Sequence, residues 1–201
     1  MAEQELEVKF YINDLAALEN RLKKAGGSLV YPRTFEINLR YDNPAGELSR
    51  NHRVLRLRQD TAAVLTYKGP SQAREDVSAR QEIEVIVSDF TAAQHLLEAL
   101  GMVVVFLYEK QRTTYDLNGV KVTLDEVPFG HFIEVEGPDA ETIKAVAKKL
   151  DVSWDARSTS SYSAIFGLLK AKKKLSFNDM TFANFQNITI TPEDLDMIPA
   201  D

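Results

Sequence analysis

The chain predicts an α+β domain built on one large, mostly antiparallel sheet or barrel, and three observations carry that expectation. Seven segments alternate charged or polar with apolar side chains, so each strand presents two faces of opposite character. About eight such strands fall into neighbouring runs interrupted by about four helices. At least two of those helices carry apolar stripes, Leu15, Leu18 and Leu22 in one and Leu96, Leu97 and Leu100 in another, which suit them to cover an apolar sheet face.

Taken in order, the first strand spans about 3–11, and "ELEVKF" within it places Glu5, Glu7 and Lys9 on one face and Leu6, Val8 and Phe10 on the other. A helix follows from Asn13 to about Ala25. Asn13 suits its N-cap, Asp14 its first turn, and Gly26-Gly27 its end. Residues 28–41 are extended, with an interruption at Pro32, and the turn-rich residues 42–52 read as an exposed loop. Strands near 53–60 and 63–69, a polar loop and a strand over 79–87 come next. The second helix, 90–100, takes Asp89 as its cap and Gly101 as its stop. Strands follow at 103–116, 119–126 and 131–137, and Asn118-Gly119 supplies a hairpin turn. A helix at 139–150 and a shorter one at 159–170 complete a domain over residues 1–170. The extension, 171–201, carries Phe177, Met180, Phe182 and Phe185, which mark it as partly packed on the barrel. Thr191-Pro192 suits a late helix start, and the acidic end, 193–201, is expected to be mobile. The run "KAKKK" at 170–174 reads as a solvated helix end complementing the dipole.

The 201 residues suffice for one substantial domain, and no apolar run approaches the roughly 20 residues that span a bilayer. "MAEQELEVKF" lacks the basic and apolar regions of a secretory signal, so a cytoplasmic protein without a membrane partner is expected. Cysteine is absent, which removes disulfides, thiolate metal sites and cysteine nucleophiles. The formal net charge of -6 argues against a nucleic-acid partner while leaving room for a local basic pocket. Neither glycine-rich phosphate-binding fingerprint occurs. His52, His95 and His131 show no metal-ligand spacing, and the serines of "RSTSSYS" read as helix capping.

The opening alternation recurs in "FEINLRYD" (Glu36, Asn38, Arg40), "VLRLRQ" (Arg56, Arg58), "LTYKG" (Thr66, Lys68) and "ARQEIEVIV" (Arg80, Glu82, Glu84). It returns in "VKVTLDE" (Lys121, Thr123, Asp125) and "FIEVE" (Glu134, Glu136); "YEKQRTTY" departs from it, with polar groups on both faces. The charged face is either a solvated sheet surface or the interior of a barrel. The sign pattern favours the interior. Acids gather on the first and last strands (Glu5, Glu7, Asp125, Glu134, Glu136), bases on the middle ones (Arg56, Arg58, Lys68, Lys110, Arg112). Grouped carboxylates are hard oxygen ligands for Mg or Mn, and arginine and lysine are the usual partners of phosphate oxygens. Both sets together suit a metal-complexed polyphosphate.

These residues resemble the signature of the CYTH superfamily, the triphosphate tunnel metalloenzymes. Glu5-x-Glu7-x-Lys9 opens it; "VLRLR", "LTYKGP", "RQEIEV", "YEKQRTTY", "VTLDEVPFGHFIEVEG" and "SSYSAIFG" follow in the family's order over roughly 3–169. The resemblance implies an eight-stranded antiparallel β-barrel forming a tunnel, with a charged interior and helices outside. It implies one or two Mg or Mn ions held by Glu5, Glu7, Asp125, Glu134 and Glu136, with Glu84 able to join them. Arg56, Arg58, Lys68, Lys110 and Arg112 would bind the triphosphate, and Lys9 would contact phosphate or shape the acidic cluster; Lys9, Arg58 and Lys68 are the expected catalytic groups. Where many members carry D-x-Y-[FY]-D this chain has "NLRYD", so Asn38 and Arg40 replace an acid and an aromatic, and Arg40 is a further phosphate contact. Two reactions are implied: conversion of ATP to cyclic AMP and pyrophosphate, as in class IV adenylate cyclases, whose motifs these segments look more similar to, or hydrolysis of inorganic triphosphate, thiamine triphosphate or a nucleotide. A binding module without turnover is a third expectation, and the family allows a homodimer.

Overall fold

The computed structural model describes residues 3–70, 72–74 and 77–201, with the side chains of 3–5 and 72–74 outside that description. The first half of the chain gives β1 (Glu3–Ile12), α1 (Leu15–Lys24), β2 (Ser28–Asp42), α2 (Glu47–Arg50), β3 (Val54–Gln59), β4 (Ala63–Lys68), β5 (Gln72–Arg74) and β6 (Val77–Val87). The second half gives α3 (Phe90–Ala99), β7 (Val103–Leu117), β8 (Val120–Val127), β9 (Gly130–Glu136), α4 (Ala140–Lys149), β10 (Arg157–Ser158) and α5 (Tyr162–Lys173).

Strand neighbours run β1-β9-β8-β7-β2-β3-β4-β6, and β6 returns to β1 with Leu6 opposite Ala79 and Glu7 opposite Ser78. Eight antiparallel strands therefore form a closed ring, as the charge alternation predicts. Beyond Glu7 the edge of β1 turns to β10, with Lys9 opposite Ser158. Local chemistry sets the joints. Asn118 and Gly119 both have positive φ (57° and 81°), the geometry of the two-residue turn that joins β7 to β8. The chain passes through Pro32 without leaving β2, because register shifts between Leu29 and Thr34 absorb the missing donor. The loop expected over 42–52 contains α2, a single turn started by Asp42, whose carboxylate accepts from the N–H groups of Asn43, Leu48 and Ser49 at 2.8–2.9 Å. The cap of α1 is Asp14 rather than Asn13, its Oδ1 accepting from Ala17 N at 2.9 Å.

The outer face of the ring is covered in two places, and a third cluster closes one of its ends. Leu18 and Leu22 of α1 and Ile143 and Val146 of α4 pack on Val8, Phe10, Val122 and Ile133. Leu97 of α3 packs on Leu39 and Leu57, and Phe166 and Leu169 of α5 close the end of the ring in one cluster with Tyr11, Phe129 and Phe132. Each fully buried side chain of this size contributes about 1.5–3 kcal/mol. Cover is incomplete on β6, where Ile83 and Val85 remain 46% and 54% exposed. No helix among the described residues is long and apolar enough to cross a membrane.

The extension returns along the ring. Met180 exchanges backbone hydrogen bonds with Leu107 and Glu109 of β7 at 2.9 Å, and the Glu109 carboxylate accepts from Phe182 N. That contact accounts for the polar outer residue in "YEKQRTTY": this stretch of the outer face carries the extension. The lysines after α5 are not simply solvated, since Lys172 and Lys173 pair with Asp196 and Asp194 at 2.6 and 2.8 Å. Nor does the acidic end stand free as expected. Ala200 is buried and bonds Tyr11 O and Ser153 N, and Asp201 accepts from the N–H groups of Asn13 and Asp14 at 2.8 Å each. Those N–H groups precede α1, where negative charge is stabilised.

Candidate active site

Alternation around a closed ring puts one parity of every strand inside. The interior holds a cavity of about 1390 Å³ whose walls include Lys9 and Glu7 from β1, Glu134 and Glu136 from β9, and Lys110 and Arg112 from β7. Arg40 from β2, Arg56 and Arg58 from β3, Lys68 from β4 and Arg80, Glu82 and Glu84 from β6 line it as well. Much of this lining is buried: Lys9 is 2% and Lys110 3% exposed, and Asp125 beside them 0%, while Glu84 stays exposed.

The acidic and basic walls interlock. Lys9 Nζ lies 2.8 Å from Glu134 Oε1 and 3.9 Å from Glu7 Oε1. Burial pushes its pKa down, but Glu134 and Glu7 outweigh that and hold it above the ordinary lysine value. Glu134 is held well below the usual carboxylate range: burial opposes ionisation, and Lys9 and Arg112 outweigh it. Arg112 donates Nε to Asp125 Oδ1 at 2.6 Å and bridges Asp125 and Glu134 with Nη2. Lys110 reaches Asp125 Oδ2 at 3.2 Å and Glu36 Oε2 at 3.5 Å. On the other side Arg56 donates to Tyr108 Oη at 3.3 Å and Thr66 Oγ1 at 3.2 Å, and lies 3.4 Å from Glu84. Arg58 meets Asp60 at 2.9 Å, and Lys68 meets Glu82 at 3.0 Å.

The first turn of α5 reaches into one end of the ring. The Tyr162 hydroxyl donates to Asp125 at 2.8 Å, and its ring lies 4.6 Å from Lys9 Nζ and 5.5 Å from Lys110 Nζ. Arg40 donates to Ser163 Oγ at 2.7 Å. This geometry explains the "SSYS" segment beyond capping: Ser161 does cap α5, accepting from Ala164 N at 3.2 Å, while Tyr162 and Ser163 serve the interior.

Of the carboxylates expected at a metal, the structure brings Glu7, Glu134 and Glu136 to one wall, with Glu7 opposite Glu136 in the β1–β9 register. The side chain of Glu5 lies outside the described residues. Asp125 is enclosed by Lys110, Arg112 and Tyr162, and Glu84 stands with Arg56 and Thr66 on the basic side. Among the described residues no three Asp, Glu or His gather closely enough to cage a metal ion. The donor set on β1 and β9 still fits Mg or Mn, which bind through one or two carboxylates and fill their other positions with water and phosphate oxygens. Glu36, Tyr108 and Tyr162 escaped the sequence reading as site residues. Glu36 could have been found, since it shares the parity of Asn38 and Arg40.

Comparison with known proteins bears on this arrangement directly. The model of the CYTH domain family matches residues 3–161. The chain belongs to the CYTH family. A Methanocaldococcus jannaschii protein provisionally named an adenylate cyclase is 26% identical over 175 residues, covering 82% of this chain and 99% of that one. Among solved structures, a provisionally named adenylate cyclase from Vibrio parahaemolyticus is similar with a TM-score of 0.74 at 23% identity, covering 83% of this chain and 99% of that one. A Hippeastrum protein, provisionally named an adenylyl cyclase and described as having a dominant triphosphatase activity, is similar with a TM-score of 0.63 at 21% identity, covering 82% and 95%. The CYTH match ends at Ser161, before α5 begins, so α5 and the extension that docks on β7 and α1 lie outside the matched residues.

Proposed function

We propose that this CYTH protein is a divalent-cation-dependent enzyme acting on a triphosphate-containing small molecule, and that it converts ATP to cyclic AMP and pyrophosphate. One observation carries the proposal: Arg56, Arg58, Lys68, Lys110 and Arg112 line the same cavity as Glu7, Glu134 and Glu136. At about 1390 Å³ that cavity exceeds the roughly 300–1,000 Å³ of ordinary small-ligand sites, which favours a whole nucleotide over a bare phosphate chain. The name of the M. jannaschii relative supports the same reaction.

In that reaction the ribose 3′-hydroxyl attacks the α-phosphorus and pyrophosphate leaves. The five cations bind phosphate oxygens, hold the chain in line and neutralise charge growing on the leaving group, so positioning and electrostatics supply most of the catalysis. Glu7, Glu134 and Glu136, with Glu5, would hold one or two Mg or Mn ions, which when bound share the charge of the phosphates. Lys9, between Glu7 and Glu134, keeps the acidic wall in place. Arg40, which lines the cavity and spends Nη1 on Ser163, has further N–H donors for a phosphate oxygen.

A second reaction, attack of water on the γ-phosphorus, uses the same phosphate contacts. The Hippeastrum neighbour is the reason to test it, because its fold carries a triphosphatase activity. The purified protein is incubated with ATP, inorganic triphosphate and thiamine triphosphate, with Mg or Mn, and the products are resolved. Cyclic AMP with pyrophosphate supports the cyclase; orthophosphate from any triphosphate moves the assignment to hydrolysis. No product from any of them overturns both.

A further inference from the structure

Glu36 lies behind the phosphate-binding wall rather than on it. It is 4% exposed, stands opposite Lys110 in the β2–β7 register, and places Oε2 3.5 Å from Lys110 Nζ and Oε1 4.0 Å from Arg112 Nε. Arg58 and Arg56 act on it as well. All four of these cations line the cavity. Buried Oε2 nevertheless makes no hydrogen bond, so it is held there by charge without directing a donor.

Asp125 provides the contrast. It accepts from Lys110, Arg112 and Tyr162 and so fixes where those groups point, and removing it would disturb the geometry of the wall. Neutralising Glu36 would chiefly change the potential. A polyphosphate reaching Lys110, Arg112, Arg56 and Arg58 meets cations whose charge a fixed anion already offsets, and like charges acting on shared partners oppose each other.

We propose that Glu36 is an affinity-setting residue: an internal counter-anion that balances the phosphate-binding cations of the tunnel and weakens their hold on polyphosphate. The inference rests on the proposed triphosphate function. It gives the buried carboxylate a purpose, because release of the polyphosphate product is a step that excessive affinity slows.

The test is the affinity of inorganic triphosphate for the full chain, by titration calorimetry at fixed ionic strength. Glu36→Gln is expected to bind about tenfold tighter than the unaltered protein, with a lower KM for the nucleotide and no gain in kcat. Glu36→Asp, which keeps the charge, stays within about twofold. The same tightening is expected from Lys110→Gln to the charge-balanced Glu36→Gln/Lys110→Gln pair, so the comparison survives if Glu36→Gln alone does not fold. Equal or weaker binding on neutralising Glu36 overturns the inference while the functional proposal stands. Failure of the unaltered protein to bind triphosphate at all overturns both.

Discussion

The hydroxyl of Tyr162 donates to Asp125 Oδ2 at 2.8 Å, tying the first residue of α5 to a carboxylate with no exposed surface. The same ring lies under Lys9 and Lys110, so one side chain from outside the ring touches three strands of its interior. Tyr162→Phe keeps the ring and removes one hydrogen bond to a charged acceptor. A loss of about 1.5–3 kcal/mol in urea denaturation is expected, with reduced turnover. Unchanged stability would show that the bond does not hold the helix in place.

Lys9 and Glu134 form the buried pair on which the acidic wall depends. Lys9→Met leaves Glu134 with one cation fewer in a buried site and is expected to cost about 3–5 kcal/mol. Glu134→Gln in the same chain should recover part of that loss. A double-mutant cycle in denaturant measures the coupling, and additive effects would contradict it.

Glu36 predicts how stability follows pH. Burial pushes its pKa up, but Lys110, Arg112, Arg58 and Arg56 outweigh that and lower it from 4.5 to about 2. The folded value lies below the unfolded one, so the stabilisation is complete above about pH 4.5 and lost as pH falls towards 2. Its size is about 3 kcal/mol. Urea midpoints measured across that window should fall less steeply in Glu36→Gln than in the unaltered protein.

Glu7→Gln and Arg58→Ala test the two walls. Each is expected to lower turnover by at least about a hundredfold while circular dichroism shows a folded chain. Full activity in either variant would remove that residue from the site.

Truncation after Lys174 would uncover Phe129 and Phe166, which pack on Phe177 and Phe185 of the extension, and remove the acceptors at α1. The melting temperature should fall by several degrees, and turnover with it, because α5 carries Tyr162 and Ser163 into the ring. A truncated protein with the original melting temperature would mean that the extension only decorates the surface.

The ring was legible because a charge at every second position, repeated strand after strand, has few solutions: Lys9, Lys110 and Asp125 could not all be buried unless they faced one another. Pairing was less legible. Sequence places the acids and bases on separate strands, but not Arg112 between Asp125 and Glu134, because that depends on which strands the ring makes neighbours. Charge alone groups Asp125 and Glu84 with Glu7; the structure adds that Asp125 and Glu84, like Glu134, each stand beside cations. In the extension, Phe177, Met180 and Phe185 mark the packing from sequence, whereas the acidic end is harder to place. Its acidic residues look solvated until Lys172, Lys173 and the start of α1 are seen beside them.

Closure of the ring also governs how the chain reaches it. Glu7 pairs with Ser78 on one side and with Glu136 on the other, so the first strand stays half-paired until β9 exists. Contacts so distant in sequence make for slow folding, because loop entropy is lost before the pairing repays it. On the ribosome, β1 would wait with an open edge while more than a hundred residues follow it, the interval in which a misplaced neighbour does most harm. Charge protects it meanwhile: Glu5, Glu7 and Lys9 make the waiting strand a poor partner for any strand but its own.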